Sequence, residues 1–328
     1  MRRVLYNKAL NEALAEEMER DERVILMGED IGLYGGVFKV TSGLWERFGG
    51  ERVIDTPISE TGFLGAALGA AMNGYRPVVE IMWIDFTLVA ADQIINQIAK
   101  ARYMSGGQVK VPLVIRTQMG GFRGNGAQHS QCLEALFAHI PGLKVVIPST
   151  PSDAKRLLKA SIRDDDPVLF IEHKMLYPMS GDISDEDDIE EIGKGKVVRE
   201  GTDATIVSWS RCLHFALDAA EQLSREGKEV EVVDVRSLVP LDEPLIFESV
   251  RKTNRLVVAH EPHRRYGPGA ELVAQIQEHC FDYLDAPIVR VGAWDCPIPY
   301  SRELEKQVLP GEESILQAVR EVLDTRAQ

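Results

Sequence analysis

Short runs of Val, Ile and Leu alternate with helical patterns along most of the chain. The runs predict buried strands, six before residue 178 and four after residue 196: VILMG (24–28), RVID (52–55), PVVEIMW (77–83), PLVIRT (112–117), KVVIPS (144–149), PVLFIEH (167–173), ATIVSW (204–209), EVEVVDV (229–235), RLVVAHE (255–261) and PIVRVG (287–292). Continuous apolar strands that alternate with helices are typical of parallel sheets covered on both faces. We therefore predict an α/β fold.

The alternation stops between residues 178 and 196, where the acidic run DEDDIEE (185–191) lies among Gly and Pro. A run of like charges usually stays in solvent. We predict two domains, at 1–177 and 197–328, joined by an acidic linker at 178–196. Each domain is expected to hold a mostly parallel sheet with helices on both faces, and 328 residues suit two domains of about 150 each.

Composition narrows the function classes. The net charge is −14, from 37 basic and 51 acidic residues, which argues against nucleic-acid binding because that needs a basic surface. The apolar stretches are short and interrupted, below the roughly 20 residues of a membrane span, so we expect no membrane partner. The four cysteines form no CxxC motif, which favours reduced thiols in a cytoplasmic protein.

Several catalytic motifs are absent from the sequence. It contains no GxxxxGK[ST] phosphate loop, no GxGxxG followed by an acid at the dinucleotide-binding distance, no HExxH and no GxSxG.

Two polar residues stand where parallel sheets carry their ligands, after the carboxyl ends of strands. Glu60 follows the strand 52–55 and precedes an Ala- and Gly-rich helix; it is either a functional acid or one that complements the helix dipole. His129 lies in the Gly-rich loop 120–131, which follows the strand 112–117. Because glycine lets the backbone approach a ligand closely, His129 is a candidate for proton transfer. A capping role stays open for it.

Long motifs in this order resemble one family: DTPISETGF, AADQIINQIAKARYMSGG, GAQHSQCLEALFAHIPGLKVVIPSTPSDAKRLLKASIRDDDPV and VEVVDVRSLVPLD. The chain resembles the β subunits of thiamine-diphosphate-dependent 2-oxo acid dehydrogenases, the first components of the pyruvate, acetoin and branched-chain complexes. The resemblance implies a pyrimidine-binding transketolase-like domain followed by a transketolase C-terminal-like domain.

The resemblance also implies roles for single residues. Glu60 matches the glutamate that hydrogen-bonds the ring nitrogen of the cofactor's aminopyrimidine, where a buried carboxyl group can share a proton. Ile58 and Met82 match residues that line this ring, and Phe86 matches an aromatic side chain that packs on it. His129 matches a histidine that assists proton transfer or receives the lipoyl group.

A potassium site is implied as well, built largely from backbone carbonyls. The matching positions are Leu113, Ser161, Ile162, Asp164 and Asp166. A plain acidic turn between helix and strand is the alternative interpretation of this segment.

The resemblance makes one absence informative. Thiamine-diphosphate enzymes hold the diphosphate through Mg²⁺ on a Gly-Asp-Gly motif, and this sequence has none. We therefore expect an α subunit to supply the Mg²⁺ site in an α2β2 assembly, and a lipoyl-bearing dihydrolipoamide acyltransferase core to accept the acyl group.

The expected reaction is oxidative decarboxylation of a small, pyruvate-like 2-oxo acid with acyl transfer to a lipoyl domain. Cleavage of acetoin by the same cofactor chemistry is the alternative, since EHKMLY and the Ile-Arg-Thr of strand 112–117 resemble acetoin-cleaving relatives. The segment EIMWIDF lacks the Gln-Phe-Ala-Asp-Tyr of branched-chain enzymes. A self-sufficient transketolase-like enzyme and a non-catalytic scaffold are remote alternatives.

Overall fold

The computed structural model describes residues 1–325 and divides the chain into two units. The first unit comprises Met1–Met119 and Leu136–Ile192; the second comprises Gly120–Ala135 and the chain from Gly193 onward. The last three residues of the predicted second domain, 326–328, lie outside the described residues.

Six parallel strands form the sheet of the first unit. Their spatial order is β6-β7-β5-β4-β2-β3, and every neighbouring pair is parallel. The strands are β2 (Val24–Gly28), β3 (Val53–Asp55), β4 (Arg76–Ile81), β5 (Val114–Met119), β6 (Lys144–Val146) and β7 (Val168–His173). A separate antiparallel pair joins β1 (Arg2–Leu5) to β8 (Ser180–Ile183).

The helices of this unit pack their apolar faces against the sheet. Leu10, Leu14 and Met18 of the first helix share a core with Leu157 and Leu158 of the sixth. The sixth helix begins at Pro151, behind an N-cap Thr150 whose hydroxyl accepts from the Asp153 amide at 3.1 Å. The helices are α1 (Tyr6–Arg20), α2 (Leu44–Phe48), α3 (Glu60–Met72), α4 (Ala99–Met104), α5 (Glu134–Ala138, at the chain's return to the first unit) and α6 (Pro151–Arg163), with a 3₁₀ turn at Ile84–Leu88 and a π-helical turn at Gln93–Ile98.

The second unit is built around a five-stranded sheet. Its order is β14-β13-β10-β11-β9, parallel throughout except for the edge strand β9. Ala216 and Leu223 on one helix and Ile315 and Val319 on another pack against it. The strands are β9 (Lys196–Arg199), β10 (Ala204–Ser208), β11 (Val230–Asp234), β12 (Ser237–Val239), β13 (Leu256–His263) and β14 (Val289–Ala293). The helices are α7 (Ser210–Arg225), α8 (Glu243–Thr253), α9 (Pro268–Cys280), α10 (Arg302–Val308) and α11 (Glu312–Asp324), with a 3₁₀ turn at Phe281–Tyr283.

These sheets confirm the predicted α/β class with two mostly parallel sheets. The boundaries differ in two places. The segment Gly120–Ala135 belongs to the second unit, although unit-one sequence surrounds it. The acidic segment up to Ile192 belongs to the first unit.

The sequence predicts that the acidic segment is a linker in solvent, but in the structure it forms ion pairs with basic residues of the first unit. Asp185 pairs with Arg2 at 2.7 Å, and Asp188 pairs with Arg156 at 2.9 Å. Asp187 pairs with Arg163 at 2.9 Å and also contacts Lys159. Basic residues recur at helical spacing along α6, so they present one positive face that draws in the acids. Each exposed pair contributes only about 0.2–1 kcal/mol, and it is their number that orders the segment.

Within residues 1–325, no helix has the length and apolar character needed to cross a membrane.

Candidate active site

Four of the predicted cofactor residues lie at one edge of the first unit's sheet. Glu60 begins α3, directly after β3, and Met82 and Phe86 follow β4. Strands β3 and β4 flank β2 in parallel, so their carboxyl ends meet at the same edge. The Thr61 hydroxyl donates to the carbonyl of Val89 at 2.8 Å, which ties the first turn of α3 to the segment that carries Phe86.

The surroundings of Glu60 combine burial with exposed apolar surface. Glu60 is 8% exposed at a helix N-terminus, where the helix dipole favours a negative charge. Ile58, two residues earlier, is 83% exposed, and Met82 and Phe86 are half-buried. A flat apolar ring with one polar edge suits such an arrangement, because the apolar side chains can cover its faces while the carboxyl group meets its nitrogen.

Glu29 is a second acid at this edge, which the sequence analysis missed. It follows β2, and its Oε1 is buried without a hydrogen-bond partner. Burial, together with the charges of Glu60 and Asp30, raises the pKa of Glu29. The signal in the sequence was its place after a strand between those that lead to Glu60 and Met82.

A buried ion cluster occupies the centre of the same sheet. The Arg116 guanidinium on β5 donates to Glu80 on β4 at 2.7 Å and to both carboxylate oxygens of Glu172 on β7 at 2.7 and 2.8 Å. The Tyr177 hydroxyl donates to Glu172 at 2.6 Å. Burial raises the pKa of Glu172, against the opposing charge of Arg116. In the sequence these four residues stand within the motifs EIMWIDF, Ile-Arg-Thr and EHKMLY, which bear on the substrate, and none of the four was predicted to form an ion cluster.

The structure assigns His129 to the second unit, on the segment Gly120–Ala135. The sequence predicts that the glycines of this segment leave space for a ligand. In the structure, Gly121, Gly124 and Gly126 pack against other residues of the second unit instead. A Cβ at Gly126 would stand 2.5 Å from the Tyr300 ring, and a Cβ at Gly121 would stand 2.4 Å from Leu309. Gly126 also has φ +76°, a conformation that favours glycine. The loop packs closely on the segment 300–309.

A buried polar group lies where this loop ends. The Trp209 indole N–H donates to Glu134 Oε1 at 3.2 Å, and the indole stacks on His260 with centroids 5.3 Å apart. Burial raises the pKa of Glu134 to about 7 and lowers that of His260 to about 4. Both side chains are therefore mainly neutral between these two pKa values. His260 is a packed residue of this group, with Nδ1 against the Pro262 carbonyl at 3.2 Å.

The five predicted potassium ligands surround the turn after α6. Arg76 donates to the carbonyls of Ile162 at 2.8 Å and Asp164 at 2.7 Å. The Asp164 carboxylate pairs with Lys144 at 2.6 Å, and Asp166 pairs with Arg102. A carbonyl oxygen that accepts one hydrogen bond has a second lone pair, which can bind a cation. The hydrogen bonds from Arg76 are therefore compatible with the potassium site, which stays a prediction. Within the described range 1–325, His, Cys, Asp and Glu form no group of three that could hold a metal, so a cation here would depend on carbonyls.

Comparison with known proteins places these features in a family. Residues 2–180 match the model described as "Transketolase, pyrimidine binding domain", and residues 193–315 match "Transketolase, C-terminal domain". A pyruvate dehydrogenase E1 component subunit beta-2 of Oryza sativa subsp. japonica is 49% identical, over 95% of this chain and 84% of that protein. The chain belongs to the family of 2-oxo acid dehydrogenase E1 β subunits. A 2-oxoisovalerate dehydrogenase subunit beta of Bacillus subtilis (strain 168) is 46% identical, over 97% of this chain and 98% of its own length.

A solved structure shares the fold. A split-gene transketolase, described as an inactive β4 tetramer, superposes with a TM-score of 0.81 at 24% identity, covering 98% of this chain and 99% of its own. At this identity the likeness shows the fold alone.

Membership in this E1 β family implies thiamine diphosphate as cofactor and a heterotetramer with an α subunit. The residues fit the aminopyrimidine end of thiamine diphosphate. Glu60 is the buried acid, Ile58 is the exposed apolar side chain beside it, and Glu29 adds a buried oxygen without a partner.

The raised pKa of Glu134 predicts a pH-dependent stability. The folded protein prefers the protonated acid, so its stabilising effect is full below the ordinary pKa near 4.5 and is lost as the pH rises through about 7. Glu134→Gln stays neutral. We expect its unfolding free energy, relative to wild type, to be about 3 kcal/mol higher at pH 8 than at pH 4.5, measured by urea denaturation.

The exposed Glu278→Gln serves as the control and should show no such pH-dependent difference. A constant difference between Glu134→Gln and wild type across this pH range would show that Glu134 ionises normally in the folded protein.

Proposed function

We propose that this E1 β subunit works in the thiamine-diphosphate-dependent oxidative decarboxylation of a small 2-oxo acid, of the size of pyruvate, and in transfer of the acyl group to a lipoyl domain. The proposal rests on one observation above the others. Glu60 is a buried acid at the start of α3, with the exposed Ile58 beside it and Met82 and Phe86 at the same sheet edge.

The chemistry divides between cofactor and protein. When bound, thiamine diphosphate supplies a nucleophilic carbon and an electron sink for cleaving the bond beside a carbonyl group. Glu60 would exchange a proton with the ring nitrogen of the aminopyrimidine, and Ile58, Met82 and Phe86 would hold that ring. Glu29, whose pKa burial raises and whose Oε1 has no hydrogen-bond partner, would stand beside Glu60 as a second acid.

His129 serves a later step in this scheme. An imidazole can donate a proton from one ring nitrogen and accept one at the other, which suits proton transfer as the acyl group passes to the lipoyl sulfur. The flexible lipoyl arm of an acyltransferase core is the proposed acceptor.

The α subunit completes the cofactor site. The 328 residues contain no Gly-Asp-Gly motif, so the Mg²⁺ and the diphosphate fall to the partner in an α2β2 assembly. The first unit also exposes apolar side chains that a partner would cover: Leu33, Tyr34, Ile58, Val89, Tyr103 and Met104. The four free cysteines suit a reducing, cytoplasmic compartment.

Two further features belong to the proposal. A potassium ion would bind the turn of Leu113, Ser161, Ile162, Asp164 and Asp166, sharing the carbonyls with Arg76. Acetoin is the second candidate substrate, favoured by EHKMLY and by the Ile-Arg-Thr of β5. Turnover of pyruvate, acetoin and 2-oxoisovalerate by the assembled enzyme distinguishes the candidates.

Replacement of Glu60 tests the central role. Glu60→Gln keeps the side-chain shape but removes the exchangeable acid, so we expect the assembled enzyme to lose about 10³-fold or more in kcat, near the upper range of acid–base effects. The fold should survive, measured as an unchanged thermal midpoint. Glu51→Gln, an exposed control, should keep full activity. A Glu60→Gln enzyme that retains most of its turnover would contradict the assignment.

Replacement of His129 separates two steps of the reaction. An artificial oxidant such as ferricyanide bypasses the lipoyl group, so its reduction reports the steps up to decarboxylation. We expect His129→Ala to lower lipoyl-domain acylation far more than ferricyanide reduction. The exposed His139→Ala is the matched control. Equal losses in both assays would move His129 to substrate binding or decarboxylation.

A further inference from the structure

The loop that carries His129 is closed on itself within the second unit. The Gly120 amide donates to the Gln131 carbonyl at 3.1 Å, which joins the two ends of the loop. The His129 amide donates to the Gly126 carbonyl at 3.3 Å. Ala127 and Gln131, on either side of His129, line a cavity of about 420 Å³. The place of this loop therefore sets where His129 stands relative to that cavity.

One buried carboxylate accepts a hydrogen bond from a backbone amide at the base of the loop. Glu261, near the end of β13 and 4% exposed, accepts from the Gly121 amide at 2.6 Å. Its same oxygen, Oε1, lies 3.7 Å from the Cys132 sulfur. Glu261 thus contacts residues near both ends of the loop.

A second buried carboxylate accepts a hydrogen bond from a backbone amide three residues further along the loop. Glu305 on α10 is 1% exposed, and its Oε2 accepts from the Gly124 amide at 3.0 Å. Its Oε1 is buried without a hydrogen-bond partner and faces Gly121, where a Cβ would stand 3.0 Å away. A charged acceptor forms a stronger hydrogen bond to a backbone amide than a neutral one does.

Apolar contacts fix the same stretch. Phe122, between the two gripped glycines, packs on the small core of Ala293, Ile298 and Leu309. Its ring also lies 5.7 Å from that of Phe215. The two carboxylates and the Phe122 ring together fix the position of the loop on the second unit.

We propose that Glu261 and Glu305 are positioning residues for His129, acting through the amides of Gly121 and Gly124. The inference rests on the proposed function, because it gives His129 its role in acyl transfer. Neither carboxylate needs to touch the reacting atoms. A displacement of about 1 Å at a transfer step can cost about 10²-fold in rate, so a loop that loses its grip should slow the lipoyl step.

Variants of Glu305 offer the sharpest test. Glu305→Ala removes the acceptor for Gly124, whereas Glu305→Gln keeps an oxygen in the same place. Glu303→Ala is the matched control on the same helix, since Glu303 is exposed and pairs with Lys306 at 3.1 Å. Each variant is assembled with the α subunit and assayed for lipoyl-domain acylation and for ferricyanide reduction.

A second readout does not depend on turnover. Amide hydrogen exchange of residues 120–135 reports whether the loop is held, and trypsin cleavage after the exposed Arg123 reports it independently. We expect Glu305→Ala to lower lipoyl acylation about 10- to 100-fold, with faster loop exchange and a much smaller change in ferricyanide reduction. Glu305→Gln should recover most of the rate, and Glu303→Ala should match wild type.

A double variant distinguishes positioning from general damage. If Glu305 acts through His129, then Glu305→Ala combined with His129→Ala should be no slower than His129→Ala alone. Additive losses would overturn the inference, as would unchanged loop exchange in Glu305→Ala or an equal fall in both assays. Where Glu305→Ala does not fold, Glu305→Met, which keeps most of the side-chain volume but removes the acceptor for Gly124, is measured in the same way, and wild-type exchange, cleavage and rates in Glu305→Met overturn the inference.

The proposed function fails in a different way. A wild-type assembly that reduces ferricyanide but never acylates a lipoyl domain contradicts the transfer role of His129. The exchange measurement still decides, in that case, whether Glu305 holds the loop.

Discussion

The buried ion pairs of Arg116 are the interaction on which the rest of the first unit depends. It lies on the central strand β5 between two carboxylates, Glu80 and Glu172, which neighbouring strands present. Removing one member of a buried ion group leaves an uncompensated charge, at a cost of about 3–5 kcal/mol. The cluster therefore constrains how β4, β5 and β7 meet, and β4 leads directly into the segment of Met82 and Phe86. Glu29 and Glu60 then bring two further acids to the edge formed by β2 and β3.

Much of the fold follows from local sequence. The apolar runs are long enough and β-branched enough to predict ten buried strands, and the structure has a strand at each of them. Glu60 could be located because it follows a strand and opens a helix rich in Ala and Gly, and its role came from the family resemblance. Between β4 and β5, where the sequence pattern indicates helix, the structure is less regular than one α-helix: it has a 3₁₀ turn, a π-helical turn and the short α4.

The remaining features depend on contacts between distant residues. The acidic run resembles a linker until the positive face of α6, formed by residues such as Arg156 and Arg163, gives it partners. The glycines of the His129 loop suggest a ligand until Tyr300 and Leu309 are seen against them. Glu305 carries no local signal at all, because its partner Gly124 lies 181 positions earlier in the chain. Pattern and propensity report on neighbours in sequence, and these residues act across it.

We propose that this chain holds only the aminopyrimidine end of thiamine diphosphate. Titration calorimetry with thiamine diphosphate and Mg²⁺ tests it directly, first on the chain alone and then on the chain assembled with an α subunit. We expect weak or undetectable binding by the chain alone, and tight, Mg²⁺-dependent binding once the α subunit is added. Tight, Mg²⁺-dependent binding by the chain without any partner would contradict it.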